Sequence, residues 1–497
     1  MKSVTRRQFL AAGTAFGIVS SFSAPVVWAN DASSIPSPGE ELRFALIGCG
    51  GRGMLLADVT AKLPGMRLTA VCDPDRSRLE PAAQKYGLEK AVTDLRRLLD
   101  DPEVDAVLIA SPNHWHCLAA IWAMQAGKHV YVEKPLCLSF WEGRQVVNAA
   151  KKYRKLCQIG TQMRTDAVLH PFVKKKLHEE KLLGEIRSVR VNRSWPRRPI
   201  GLRETPCPIP ENLDYDLWLG PAQDLPLYRN RIQYDWHWMW NTGHGEMGNW
   251  GAHLLDDCRN DVLQDRVSIP KRVLSIGGRV GEKDAGETPN MALSWFDTGS
   301  IPVVFGISGL EDAKKRHFTG NTKGPRSGYV VYCEGGRYEK FWGGGVFFDA
   351  EGKKICEIAG NSEHYGAFPH IQNFADALRN GNEAELNAQI ETGFRSSFWY
   401  NAPNMAYRLG RKYSKSEVVS FLEETGKTGC WGEVLSEMEE HLANNQIAME
   451  DGAFTMSPCL ELDAQTERFV GDSAEDANRS AEMRPKRGVF EVPEVLL

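Results

Sequence analysis

Lys134 stands between Glu133 and Pro135 at the end of the apolar run His129–Val132. A lysine fixed at the end of a buried strand can aim its ammonium at a ligand oxygen, whereas a solvated surface lysine needs no such strand. A second polar cluster, Ser111-Pro112-Asn113-His114-Trp115-His116, follows the apolar run Ala106–Ile109. His114 and His116 can cap and pack a helix start or serve a site; with no evident third ligand, His-x-His does not argue for zinc, and no metal is expected. Gly48, Gly50 and Gly53 follow residues 44–47 at G-x-G-x-x-G spacing, enclose Gly51 and Arg52, and open a helical stretch near Met54. Such glycines permit a tight turn, close approach of the backbone to a pyrophosphate, and tight packing of helix on strand. Asp73 ends a further apolar run twenty residues after Gly53, where a carboxylate would accept hydrogen bonds from a ribose. Lys134 would then stand beside a nicotinamide. NAD is favoured over NADP, because Asp73 would repel the extra phosphate; Arg76 and Arg78 work the other way.

Strand ends must carry these residues. From Leu42 the chain alternates apolar runs at 67–72, 91–92, 106–109 and 129–132 with helical stretches to about 63, to about 87, over 94–99 and over 115–126. The alternation predicts an α/β fold, a doubly wound parallel sheet of Rossmann type over residues 42–164, with ligands at the carboxyl ends of its strands. Over 165–410 the pattern changes to a helix at 168–180, strands at 186–192, 273–276, 291–296, 303–307 and 329–333, and helices at 369–378 and 390–409. That predicts an α+β domain built on a large, mostly antiparallel open sheet. An apolar sheet face left uncovered would be buried against another subunit, so a homo-oligomer, dimer or tetramer, is expected. Residues 411–466, with a helix at 432–445, are read as an acidic helical insertion, and residues 467–497 as a segment packing back on the body. Residues 234–240, Tyr-Asp-Trp-His-Trp-Met-Trp, alternate aromatic and polar groups at strand spacing. Aromatic faces beside hydrogen-bonding groups suit sugar rings, which makes His237 and Trp238 candidates, although tryptophan is equally a core residue.

The first residues read differently. Thr5-Arg6-Arg7-Gln8-Phe9-Leu10 is a twin-arginine pattern, followed by an uncharged Gly/Ala/Ser-rich stretch to Ala29. Residues 1–29 are therefore expected to be an export signal and the mature protein periplasmic; Gly13, Gly17 and Pro25 weaken the alternative of a lasting membrane anchor. A Ser/Pro-rich linker at 30–41 follows. The formal net charge of −4 becomes more acidic without Lys2, Arg6 and Arg7, which argues against nucleic acid as a partner. The eleven cysteines form no C-x-x-C pair, which suits a chain folded in a reducing compartment, where a cofactor can be loaded before export.

The glycine pattern, Asp73, the segment Ser111 to His116, Ala126-Gly127-Lys128-His129-Val130 and Glu133-Lys134-Pro135 together resemble the glucose-fructose oxidoreductase and inositol 2-dehydrogenase family, Gfo/Idh/MocA, in its exported bacterial form. The resemblance runs from about Leu42 to the end. It implies that Lys134 lies beside the nicotinamide and the reacting hydroxyl, and that Ser111, Asn113, His116, Glu133 and Gln162 join the glycines, Arg52 and Asp73 in holding the cofactor. Arg164, in Gly160-Thr161-Gln162-Met163-Arg164, would reach the substrate. The family carries Asp-x-x-x-His on a helix; here Asn249 takes the acid's place and His253 is the expected general acid/base. Asn249 can orient a hydroxyl but cannot take a proton. Asp256 could orient the imidazole or be structural. The implied activity is hydride transfer between tightly bound NAD and a secondary alcohol or ketone of a sugar, polyol or glycoside. An alternative is the NAD-dependent glycosidase reaction of an exported branch, by transient oxidation and elimination, whose His-Gly-Gly-acid-Tyr-Pro-Thr-His motif is absent from residues 242–253. Another is a dinucleotide- and sugar-binding protein without turnover.

Overall fold

In β1 (Leu42–Ile47), Ala45 and Ile47 enter one apolar core while Leu42, Phe44 and Leu46 enter another. A strand covered on both faces needs this, and it reads in sequence as an unbroken apolar run. The computed structural model describes residues 41–281, 283–311, 324–360, 367–425, 429–482 and 487–497; the expected signal and all but the last residue of the linker lie outside them. β2 (Met66–Cys72), β3 (Lys90–Val92), β4 (Ala106–Ile109), β5 (His129–Val132) and β6 (Cys157–Ile159) join β1 in the order β3-β2-β1-β4-β5-β6, all parallel. β6, Cys157-Gln158-Ile159, has its apolar residues split by Gln158 and so leaves no apolar run in sequence.

Helices α1 (Gly51–Lys62), α2 (Arg76–Tyr86), α3 (Leu95–Leu99), α4 (His116–Gln125) and α5 (Phe140–Tyr153) alternate with the strands. Asp75, Asp94 and Ser139 start α2, α3 and α5 by accepting the N–H of Ser77, Arg96 and Glu142. α1 has no side-chain cap, so its first N–H groups stay open to the groove above the sheet.

The second domain begins with α6 (Leu169–Lys174), continued by a π-helical turn, Lys175–Glu179, and then β7 (Ile186–Ser194). A long connection carries α7 (Tyr215–Leu219), α8 (Gly245–Asn249) and α9 (Gly251–Asp261). β8 (Arg272–Gly278), β9 (Met291–Asp297), β10 (Val303–Ser308) and β11 (Ser327–Cys333) follow. The hairpin strands β12 (Gly336–Phe341), β13 (Gly344–Asp349) and β14 (Lys354–Ala359) then extend one side of the sheet. Its order is β14-β13-β12-β11-β7-β10-β9-β8, with β7 and β10 parallel and the other pairs antiparallel. α10 (Phe368–Asn380) returns to the first domain, where Phe374 meets Phe44 edge-on at 6.2 Å, and α11 (Ile390–Arg408) lies in the core shared by both sheets.

Residues 411–466 are more than a helical stretch. β15 (Arg411–Lys412), α12 (Lys415–Thr425), α13 (Trp431–Ala443), β16 (Phe454–Met456) and β17 (Leu460–Asp463) lengthen the sheet past β8. They also cover its far side: Val418, Trp431, Val434, Leu435 and Met438 pack with Leu274, Ile276, Leu293, Trp295 and Val304. The sheet face that sequence leaves open for a second subunit is thus covered over β8–β10 by this chain itself.

After β18 (Arg468–Val470) and α14 (Ala474–Glu482), Phe490 sits against Trp115 and Trp122, and the Val495 N–H donates to Gln145 Oε1 at 2.7 Å. All eleven cysteines are free thiols. Among the described residues no helix is long and apolar enough to cross a membrane.

Candidate active site

The carboxyl ends of the first sheet open into a cavity of about 440 Å³ lined from Gly48, Gly50 and Asp73 at one end to Lys134, Gln162, Asn249 and His253 at the other. At the glycine end, Gly48 has φ +96°, and a Cβ there would press 2.7 Å from the Ala110 carbonyl. A Cβ on Gly53 would run into the Gly48 carbonyl oxygen, whereas Gly51 has open space. A bare helix start, glycines that cannot be filled and the neighbouring carboxylate of Asp73 fit a dinucleotide. The Asp73 oxygens accept the Cys49 and Asp75 N–H groups at 2.8 and 2.9 Å, and burial raises its pKa against those bonds. Arg78 lines the same end, held 3.6 Å from Asp75; Arg76 does not line it.

At the other end Lys134 Nζ donates to the Asn249 carbonyl at 2.8 Å and faces Asn249 Oδ1 at 3.4 Å. Burial pulls its pKa down to about 8 against the attraction of Glu133. Burial also holds His253 well below its usual pKa, with the Lys134 charge adding to the effect, so its imidazole is neutral at neutral pH. His253 Nδ1, Gln162 Oε1 and Ser111 Oγ are buried without a hydrogen-bond partner among the described residues. Three orphaned polar atoms lining one cavity are what a bound ligand would satisfy.

Other expected residues do different work. Glu133 accepts from Arg52 at 2.6 Å, so this pair ties α1 to the end of β5. Both ring nitrogens of His116 lie against carbonyl oxygens, of Pro135 at 2.7 Å and Ser111 at 2.9 Å, which braces two strand ends and leaves no nitrogen for a ligand. Asn113 donates to His244 Nδ1 at 3.0 Å.

Three residues expected at the substrate do not line this cavity. Arg164 is buried against Asp256 at 2.7 Å and Asp265 at 2.9 Å and does not line the cavity. Asp256, held also by Ser396, is therefore committed to Arg164 rather than to the His253 imidazole. Trp238 is buried away from the cavity, while Trp236 and His237 line it, stacked at 3.6 Å. The expected strand over 234–240 is a 3-10 turn, Asp235–Trp238, begun by Tyr234 at φ +69°, a value no strand continues, and fixed by Arg231 on Asp235 and the Thr242 hydroxyl on the Trp236 carbonyl. Two residues apart on such a turn, side chains separate instead of sharing a face as they do in a strand. Packing holds His237 down to about 4.

Sequence reasoning missed the roof. Residues 212–238 cross from the second domain over the groove: the Arg76 N–H donates to Asn212 O at 2.9 Å, and Asn212 and Gln233 amides donate to the Asp75 carboxylate at 2.7 and 3.0 Å. Leu217, Trp218, Gln233 and Tyr234 thereby line the cavity. Trp115 Nε1 donates to the Trp218 carbonyl at 3.0 Å, and Arg487 holds Gly220 O at 2.6 Å and pairs with Asp216. Only long-range contacts create this roof; the pairing of Pro- and Trp-rich segments leaves no local signal.

A parallel sheet with a glycine-rich anion loop, a roofed groove and a lysine-histidine pair at its far end define a two-domain dinucleotide-dependent oxidoreductase architecture. Residues 42–161 match the model of the oxidoreductase family's NAD-binding Rossmann fold, and residues 172–309 that of its C-terminal alpha/beta domain. The chain belongs to the Gfo/Idh/MocA oxidoreductase family. It is 36% identical over 279 residues to levoglucosan dehydrogenase of Pseudarthrobacter phenanthrenivorans, covering 52% of this chain and 61% of that protein. It is 31% identical over 210 residues to alpha-N-acetylgalactosaminidase of Shewanella oneidensis, covering 37% and 46%. The matches thus span about half the length of these curated relatives. The WlbA dehydrogenase of Bordetella pertussis, solved with NADH and UDP-GlcNAcA, shares the fold with a TM-score of 0.52 at 20% identity, over 72% of this chain and 94% of that one.

Proposed function

We propose that this chain is an exported oxidoreductase that carries NAD through turnover and acts on a secondary alcohol or ketone of a sugar, polyol or glycoside. The observation that carries the reading is the meeting of Lys134, Asn249 and His253 at one end of a cavity whose other end is the glycine turn and Asp73. NAD bound there supplies the hydride acceptor or donor. The neutral His253 ring can take the proton of a substrate hydroxyl, and the Lys134 ammonium can stabilise the oxygen as that proton leaves. Asn249 anchors Lys134 and stays neutral. The roof over the groove, held by the Asn212 and Arg487 contacts, supports retention of the cofactor.

The similarity to an alpha-N-acetylgalactosaminidase favours one second reading, glycoside cleavage through transient oxidation at the same residues. Incubating the purified protein with a glycoside panel and weighing the products distinguishes the two: loss of two hydrogens supports the oxidoreductase, cleavage the glycosidase, and no change to any compound sinks both. Denaturation should release nicotinamide dinucleotide; a protein folded in the cytoplasm that releases none overturns retention. Residues 1–29 direct export in this reading, so an Arg6→Lys, Arg7→Lys variant should stay in the cytoplasm.

A further inference from the structure

Outside the cavity a run of aromatic rings begins at His253. Trp250 and Trp342 stand 5.9 and 6.2 Å from its ring, edge-on, and 5.4 Å from each other. The Arg193 guanidinium lies 3.7 Å over Trp250 and 5.3 Å from Trp195, and Arg326 lies 5.0 Å from Trp195. Arg193 is itself fixed by Glu246 at 2.7 Å, so it holds the Trp250 plane still by cation–π contact.

These rings reach solvent: Trp195 is 47% and Trp342 39% exposed, the two most open tryptophans among the described residues. Open indoles forgo part of the burial that makes tryptophan useful; here Trp342 stands beside the His253 ring, and Trp195 is joined to the same cluster through Arg193 and Trp250. Arg326 Nε, next to Trp195, is buried without a hydrogen-bond partner among the described residues. Arg193 is buried and bonded to Glu246 and Ser327, so it backs the rings, while flat apolar faces beside the Arg326 guanidinium match the two sides of a pyranose, C–H patches and hydroxyls.

We infer that Trp342, Trp250 and Trp195, backed by Arg193 and flanked by Arg326, form an outer subsite for a second sugar ring. The substrate is then a glycoside extended by at least one unit beyond the ring that reacts at Lys134 and His253. This rests on the reading that a sugar reacts at those residues. Trp342 and Trp195 take the C–H faces, and Arg326 donates to hydroxyls.

The test is binding by the cofactor-loaded protein to an array bearing methyl glycosides of glucose, galactose and N-acetylhexosamines beside their di- to tetrasaccharides, followed by titration calorimetry of the hits. At least one oligosaccharide should bind about tenfold or more tighter than its methyl glycoside, and Trp342→Ala and Trp195→Ala should remove most of that gain while leaving methyl glycoside binding and bound dinucleotide unchanged. Equal affinity at every length, retention of no saccharide, or a length gain that survives both substitutions overturns the inference. So does a Trp342→Ala protein whose solution mass changes while oligosaccharide binding does not, which would make the rings a subunit contact. Length-dependent binding without reduction of bound dinucleotide would uphold the subsite and remove the oxidoreductase reading instead.

Discussion

In the proposed reaction, Lys134 and His253 divide the proton work through their surroundings. With its pKa near 8, Lys134 is mostly an ammonium at neutral pH, and His253, held far below its usual value, is mostly a free base. Alcohol oxidation should therefore stay level from pH 6.5 to 7.5 and fall as pH rises through about 8, where Lys134 loses its charge; single-turnover reduction of bound cofactor reads this directly. Lys134→Arg should abolish that fall. A rate that climbs through pH 8 would instead make Lys134 the base. His253→Ala should slow the step by ~10²–10⁴-fold with the cofactor still bound, and an unchanged rate would remove the imidazole from the chemistry. His170, away from the site, faces Asp261 at 2.7 Å, in a buried group with Asp257, Lys340 and Tyr329. Burial opposes its charge, but the two carboxylates prevail and raise its pKa to about 9. A raised folded-state value means stability that is complete below the unfolded value near 6.5 and lost as pH rises through 9. Thermal melts should show that loss, worth roughly 3 kcal/mol, in the native protein and not in His170→Ala, which starts lower because Asp261 keeps the Tyr329 hydroxyl but loses its charged partner.

Among elements, the proposed retention of the cofactor turns on the roof. Asn212 and Arg487 grip it without lining the cavity, so Asn212→Ala with Arg487→Ala should loosen it without touching the ligand. Each hydrogen bond contributes about 0.5–1.5 kcal/mol net, and more where an ion takes part. The double variant should lose bound dinucleotide roughly tenfold faster or more in dialysis followed by absorbance; unchanged retention would mean that the roof is not what keeps it. The strands beneath were legible because each buried strand end leaves a local mark: Gly48, Asp73 and Lys134 follow apolar runs that face two cores. The roof was not, because Asp75 meets Asn212 and Gln233 across 137 and 158 residues of chain. Arg164 lies away from the expected place, and Asp256 takes the structural of its two readings, for a related reason. Spacing put Asp256 one helical turn from His253, but only packing shows that it turns to Arg164. The aromatic segment fooled the period: 236 and 238 share a face in a strand and part in a 3-10 turn.

At the scale of the whole molecule, α12 and α13 change what the large sheet can do. Trp295, Leu293 and Ile276 lie fully buried beneath them. Removing residues 415–449 should expose that face and produce concentration-dependent association in light scattering, with the intact chain unaffected over the same range. A deletion variant that keeps the intact chain's mass would mean that the face is not sticky enough to drive assembly.

The grip of Arg487 and Phe490 on α7 and Trp115 also orders events in time. A chain made from its N-terminus can assemble the parallel sheet and the glycine turn early, when the groove above them is still unroofed. The last anchor of the roof is translated more than 260 residues after the segment that it pins, since Arg487 and Gly220 are 267 positions apart. The last contact on the roof therefore waits for the end of the chain, so during synthesis a groove open above the glycine turn precedes a fully anchored cover.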